Sequence, residues 1–202
     1  MKRSLLLPIF MMLSMWILFI FQITYNIDFS FLAIQPRNTQ TLFCIFTTPL
    51  VHGNWEHLLS NTPPILFLSL LLYISYEKIA TKVWVLNYII TGILVWLFGR
   101  DAYHIGASGI VYGLASFLLF SGFFRMDVKA IAIASGIALF YGSMVWGLLP
   151  LQKNISWESH IAGGITGFVL SFIFRNKFQD EIHKDYENNR TDRRTFDDFL
   201  KK

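Results

Sequence analysis

Six apolar runs leave this chain few folds to choose from. They cover roughly residues 5–24, 55–73, 83–98, 108–124, 130–149 and 159–174. Each approaches the about 17–25 residues that a helix needs to cross a bilayer. In lipid, every backbone N–H and C=O must find its partner inside the protein, so only helices and closed barrels span. Barrel strands alternate apolar and polar side chains, and these runs do not. With 54% apolar and 15% charged residues, the balance suits lipid contact better than a water-soluble surface. The pattern predicts an all-α, polytopic membrane protein, a bundle of six transmembrane helices over residues 1–176. Residues 177–202 form a charged tail.

The first run follows Met1-Lys2-Arg3 and so resembles a signal peptide. It is longer than an h-region of about 7–15 residues, and no A-x-A-like site follows it, so we read it as an uncleaved first span. Lysine and arginine then set the orientation. One side of the bundle holds Lys2, Arg3, Lys78, Lys82, Arg125, Lys129, Arg175, Lys177 and the basic residues of the tail, and the other only Arg37, Arg100 and Lys153. By the positive-inside rule both termini are cytoplasmic. The net charge of +4 is not a nucleic-acid signature, because the basic residues sit at helix ends and in the tail rather than on one face. Cys44 is the single cysteine, which excludes an intrachain disulfide.

The connection from Tyr25 to Asn54 is long and rich in Phe, Leu and Ile, which predicts a structured element lying at the outer interface. The second run carries His57 and Asn61, four residues apart and therefore on one helix face. Pro63 and Pro64 follow and predict a kink. The third run, with Trp84, Asn87 and Trp96, and the fifth read as walls. Arg100-Asp101 reads as a solvated pair. The fourth run opens Gly106-Ala107-Ser108-Gly109, and the sixth opens Glu158-Ser159-His160. Gly109 and Gly113 in the fourth run, and Gly163 and Gly167 in the sixth, have the G-x-x-x-G spacing that lets helix backbones approach closely. Two such stripes suggest that these helices pack on each other.

With the N-terminus inside, the second, fourth and sixth runs all cross from outside to inside. His57, Ser108 and His160 then lie at one depth, in the outer third of the bilayer. Polar groups there are costly unless they face a protein interior or water, so they mark function. A serine needs a base to become a nucleophile, and imidazole suits that role. His160 has the best claim, being at the right depth and just before a glycine stripe. Glu56 and Glu158 lie at the rim of their spans, so the arrangement is a Ser–His dyad rather than a triad. His57, Asn61 and the Ser108 N–H remain as donors to an oxyanion.

H-x-x-x-N at His57 and Asn61, G-A-S-G with Tyr112 four residues after Ser108, and H-x-x-G-x-x-x-G from His160 resemble, in order and spacing, the rhomboid intramembrane serine proteases. The match covers roughly residues 5–175. The resemblance implies a rhomboid-like bundle, a cofactor-free and metal-free protease acting on single-pass membrane proteins in contact with lipid, and a bacterial plasma membrane. It implies Ser108 as nucleophile, His160 as general base and Tyr112 packing near that histidine. It implies His57, Asn61 and the Ser108 amide as oxyanion hole, with Gly106, Gly109, Gly163 and Gly167 in support. Many relatives carry Trp-Arg in the first outer loop, where this chain has Phe43-Cys44, so that pair's role is not carried over. His52 matches a histidine often found five residues before the oxyanion histidine and receives no catalytic role; His104 is a loop residue without an assigned purpose.

The sequence thus predicts an intramembrane serine endopeptidase working through an acyl-enzyme. Two alternatives are a rhomboid-like protein that binds membrane clients without cutting and a small proton-coupled transporter. The first typically lacks the Ser or the His, and both are present. The second needs polar residues continuing to the inner side, which the fourth and sixth runs do not supply. A metalloprotease is weaker still, since His52 and His57 do not have the H-E-x-x-H spacing.

Overall fold

The computed structural model describes residues 5–151 and 156–177. Lys2, Arg3, Lys153 and the tail from 178 onward lie outside the described residues. The chain forms α1 (Leu6–Tyr25), α2 (Trp55–Ser75), α3 (Glu77–Phe98), α4 (Ser108–Arg125) and α5 (Val128–Tyr141), followed by a helix over 157–177, here α6. Among the described residues, five helical segments are long and apolar enough to cross a membrane: α1 to α4, and α5 together with its continuation to Leu148. This is an integral membrane protein built as a helical bundle.

The central helix is α4, because 56% of its spanning window is buried against 11% for α5 and its continuation. It touches α2, α3 and α5, and α6 along a glycine seam. A Cβ on Gly163 would collide with the Gly109 carbonyl, and one on Gly167 with the Gly113 carbonyl. The two small-residue stripes therefore do meet, backbone against backbone. On the α3 side, Asn87 Nδ2 donates to the Ile110 carbonyl at 2.9 Å, in space that exists because residue 113 is glycine. The wall reading of α3 thus omits a polar anchor.

Two boundaries differ from the sequence reading. Helix α3 starts at Glu77, so only Tyr76 separates it from α2 and Lys78 and Lys82 lie in its first two turns. No Gly or Pro interrupts residues 76–83, and long lysine stems reach the interface from a helix end without breaking it. The fifth run is α-helical only to Tyr141 and continues as a 3-10 helix over Gly142–Leu148. Two glycines, Gly142 and Gly147, weaken the helix there, and Pro150 follows. Helix α2 is continuous past Pro63 and Pro64.

The long first connection is structured, as expected. It holds three 3-10 segments, Ser30–Leu32, Thr39–Ile45 and Thr48–Leu50. It docks on the end of α3, with Trp96 Nε1 donating to the Asn38 carbonyl at 2.9 Å and Arg37 Nη1 to the Gly99 carbonyl at 2.8 Å. Its Ile34 pairs antiparallel with His104, and its Thr48 carbonyl accepts the Gly106 N–H at 3.0 Å. The first loop therefore pins the short connection that leads into α4.

Candidate active site

Ser108 is the first residue of α4. The residue before it, Ala107, offers no side-chain oxygen to cap the helix. The first amides of a helix have no partner within it and carry the positive end of the dipole. A Ser, Thr or Asp at that cap would bond back to these amides; alanine does not compete for them. Gly106 has φ +97°, a conformation that disfavours any residue with a Cβ. A Cβ there would also strike the His57 ring. Gly106 thus makes the turn and admits the imidazole at once.

Ser108 Oγ lies 2.8 Å from His160 Nε2. His160 Nδ1 lies 2.7 Å from the Gly147 carbonyl. A carbonyl only accepts, so Nδ1 carries the proton and Nε2 is the acceptor facing the serine hydroxyl. That is the tautomer a general base requires. The orienting group is a main-chain carbonyl from the 3-10 segment, in the place where many serine hydrolases use a carboxylate. Tyr112 stacks on the His160 ring, with centroids 4.1 Å apart and planes within 7°. Its hydroxyl donates to the Met144 carbonyl at 2.7 Å, on the same 3-10 segment. Tyr112 therefore fixes the face of the imidazole while Gly147 fixes its edge.

The two other polar residues of the set sit on α2. Asn54 caps that helix by accepting the His57 N–H at 2.8 Å, which brings His57 to the first turn. Asn61 is buried, and its Nδ2 donates to the His57 carbonyl at 2.8 Å. It is bonded within α2 and not to Ser108 or His160; a carboxamide has a second N–H to offer. His52 packs edge to face on His57, with ring centroids 4.9 Å apart. Burial, and secondarily the neighbouring His57, hold the His52 pKa down at about 3, so it stays neutral beside its partner.

Three features escaped the sequence reading. A backbone carbonyl such as that of Gly147 leaves no mark in a sequence beyond the glycine itself. Arg100 and Asp101 do not form the expected solvated pair: Arg100 Nη1 lies 3.3 Å from Glu158 Oε1, and Asp101 accepts from Gln35 Nε2 at 3.3 Å. The two residues are adjacent on a loop, and they reach in different directions, Arg100 to the first turn of α6 and Asp101 to the first loop. His104 is buried and bonded from three directions. Among the described residues, no cluster of three or more His, Cys, Asp or Glu side chains is placed to hold a metal ion.

A sequence model of the Rhomboid domain matches residues 39–177, a range that contains every site residue named above. An uncharacterized protein of Mycobacterium tuberculosis is 32% identical over 152 residues, which cover 70% of this chain and 62% of that protein. The chain thus spans about three fifths of the mycobacterial relative's length. RHOMBOID-like protein 4 of Arabidopsis thaliana is 32% identical over 130 residues, 61% of this chain and 32% of its own length. A mimivirus protein bearing the rhomboid name is 28% identical over 155 residues, 73% of this chain and 84% of its own length.

Proposed function

The chain belongs to the rhomboid family, and from that premise we propose that it is an intramembrane serine endopeptidase that cleaves single-pass membrane proteins. The observation that carries this reading is the 2.8 Å approach of Ser108 Oγ to His160 Nε2, with Nδ1 held by the Gly147 carbonyl.

In the reaction, His160 Nε2 takes the Ser108 hydroxyl proton while Oγ attacks a substrate peptide carbonyl. The C=O electron pair moves to oxygen. That oxyanion is met by the Ser108 N–H, by His57 and by the second N–H of Asn61. One such donor contributes about 2.7–4 kcal/mol to the transition state. The C–N bond then breaks, and His160 returns its proton to the leaving amine. Water entering from the outer face is deprotonated by His160, attacks the acyl-enzyme and frees Ser108. The Gly147 carbonyl and the stacked Tyr112 ring stabilise the imidazolium in between. A helical substrate hides its carbonyls in hydrogen bonds, so cleavage falls where small or helix-breaking residues let it unwind. The positive-inside pattern supports cytoplasmic termini, and the resemblance to rhomboids supports a bacterial plasma membrane.

The test is cleavage of a single-pass substrate by purified protein in detergent. Ser108→Ala and His160→Ala each lose at least about 10³-fold in rate with the fold intact. A fluorophosphonate probe labels Ser108 in the wild type and not in Ser108→Ala. Substantial cleavage by Ser108→Ala would defeat the reading; a wild type that neither cleaves nor takes the probe would favour a client-binding relative.

A further inference from the structure

We infer that His104 is a positioning residue, which holds the loop leading to Ser108 and the first turn of α6 carrying His160 in one register. The inference rests on the protease reading above.

His104 is 2% exposed and sits four residues before the nucleophile. Its backbone is fixed to the first loop: its N–H donates to the Ile34 carbonyl at 2.8 Å, and its carbonyl accepts from the Ile34 N–H at 3.2 Å. The Thr48 hydroxyl donates to the same carbonyl. Its ring faces the other way, toward α6. Nε2 lies 3.1 Å from the Arg100 carbonyl, and Nδ1 lies 2.6 Å from Ser156 Oγ. Ser156 Oγ in turn lies 2.6 Å from Ser159 Oγ.

For a neutral ring, the direction of each proton along this path follows from its partners. The Arg100 carbonyl can only accept, so Nε2 is the N–H. Nδ1 must then accept, and its donor is the Ser156 hydroxyl. The Ser156 oxygen is left to accept from the Ser159 hydroxyl. Ser159 immediately precedes His160, and its carbonyl packs against Gly109, next to the nucleophile. One continuous, polarised path thus runs from the loop that leads to Ser108 into the turn that presents His160. Burial lowers the His104 pKa; among the charged groups facing it, Glu158 opposes that shift and Arg100 adds to it. A misplacement of about 1 Å between reacting groups lowers a rate by about 10²-fold, so a link of this kind acts on chemistry without touching substrate.

The test uses the purified full chain with a single-pass substrate. His104→Phe keeps bulk and removes both ring bonds, Ser156→Ala removes the middle of the path, and His104→Asn restores an acceptor near the Nδ1 position. His104→Phe and Ser156→Ala each lower kcat by about 10–100-fold, with KM within about twofold. The double variant is no slower than the worse single one, because both cut the same link. His104→Asn recovers about tenfold over His104→Phe. In Ser108→Ala protein, 15N NMR of His104 shows the Nε2–H tautomer. Additive single effects, no recovery by asparagine, or the opposite tautomer overturn the inference while wild-type cleavage stands. A wild type without cleavage or probe labelling overturns the protease reading, and the positioning role with it.

Discussion

His160 is held by two regions of opposite character. On one side is the α4–α6 seam, where Gly163 and Gly167 lie directly on the carbonyls of Gly109 and Gly113. On the other is α5 with its 3-10 continuation, where Leu139 and Phe140 face outward and only 11% of the spanning window is buried. The seam fixes how far His160 Nε2 is from Ser108. The peripheral region supplies the Gly147 and Met144 carbonyls that fix which way the ring and Tyr112 face. Beside it, an apolar groove of about 510 Å³ runs between α4, α5 and α6 and reaches Tyr112. Distance is therefore set by backbone-to-backbone packing, and orientation by an element at the periphery of the bundle. Close-packed regions transmit any change of volume, whereas peripheral ones relax around it.

If this division is right, the same kind of substitution, glycine to alanine, has graded effects according to where it falls. The largest is at the seam. In Gly163→Ala the new Cβ meets the backbone of Gly109 and would lie 3.1 Å from the Gly113 nitrogen, atoms that cannot turn aside. Overpacking of this kind costs about 1–3 kcal/mol or more, and the relief is a separation of α6 from α4. We expect a lower unfolding temperature in detergent and, per folded molecule, a fall in cleavage of about 10²-fold. Unchanged stability would mean that the seam is not tight.

Gly147→Ala comes next. Its Cβ would collide with the Tyr112 hydroxyl and lie 3.1 Å from His160 Nδ1. Here the obstacles are the ends of two side chains, the Tyr112 hydroxyl and the His160 ring, rather than backbone atoms. The fold is expected to absorb the change, with the unfolding temperature moving by no more than about 2–4 °C, equivalent to about 1 kcal/mol. The ring of His160 turns, and kcat falls by about 10-fold or more while KM holds. Equal loss of stability and rate would place this segment with the seam and erase the distinction.

Much of this was legible in the sequence, for reasons the comparison makes plain. The seam announces itself because close backbone approach demands glycine at fixed spacing, and Gly109, Gly113, Gly163 and Gly167 are that demand written out. Ser108 and His160 are legible because polar side chains are costly at that depth. What was missed rests on backbone groups or on loop contacts between distant segments. Any residue can offer the carbonyl of Gly147 or Met144. The path from His104 through Ser156 to Ser159 depends on the α3–α4 connection meeting the start of α6, and no periodicity records that. The start of α3 at Glu77 was missed because lysines read as the end of a span when they only crown it.

The smallest effect is expected at Gly136, in the middle of α5, where a Cβ meets nothing within 4 Å. Its φ is not in the left-handed region, so alanine adopts the native backbone without strain. Removing glycine's freedom in the unfolded chain then stabilises by about 0.4–1 kcal/mol. The expected result is a small rise in unfolding temperature and cleavage within about twofold of wild type. This sharpens the comparison because the chemical change is identical to that at Gly163 and the sign is opposite. Were Gly136→Ala to slow cleavage as Gly147→Ala does, the main body of α5 would be part of the orienting apparatus, and the division between distance and orientation would have to be drawn at the α4–α5 contact instead.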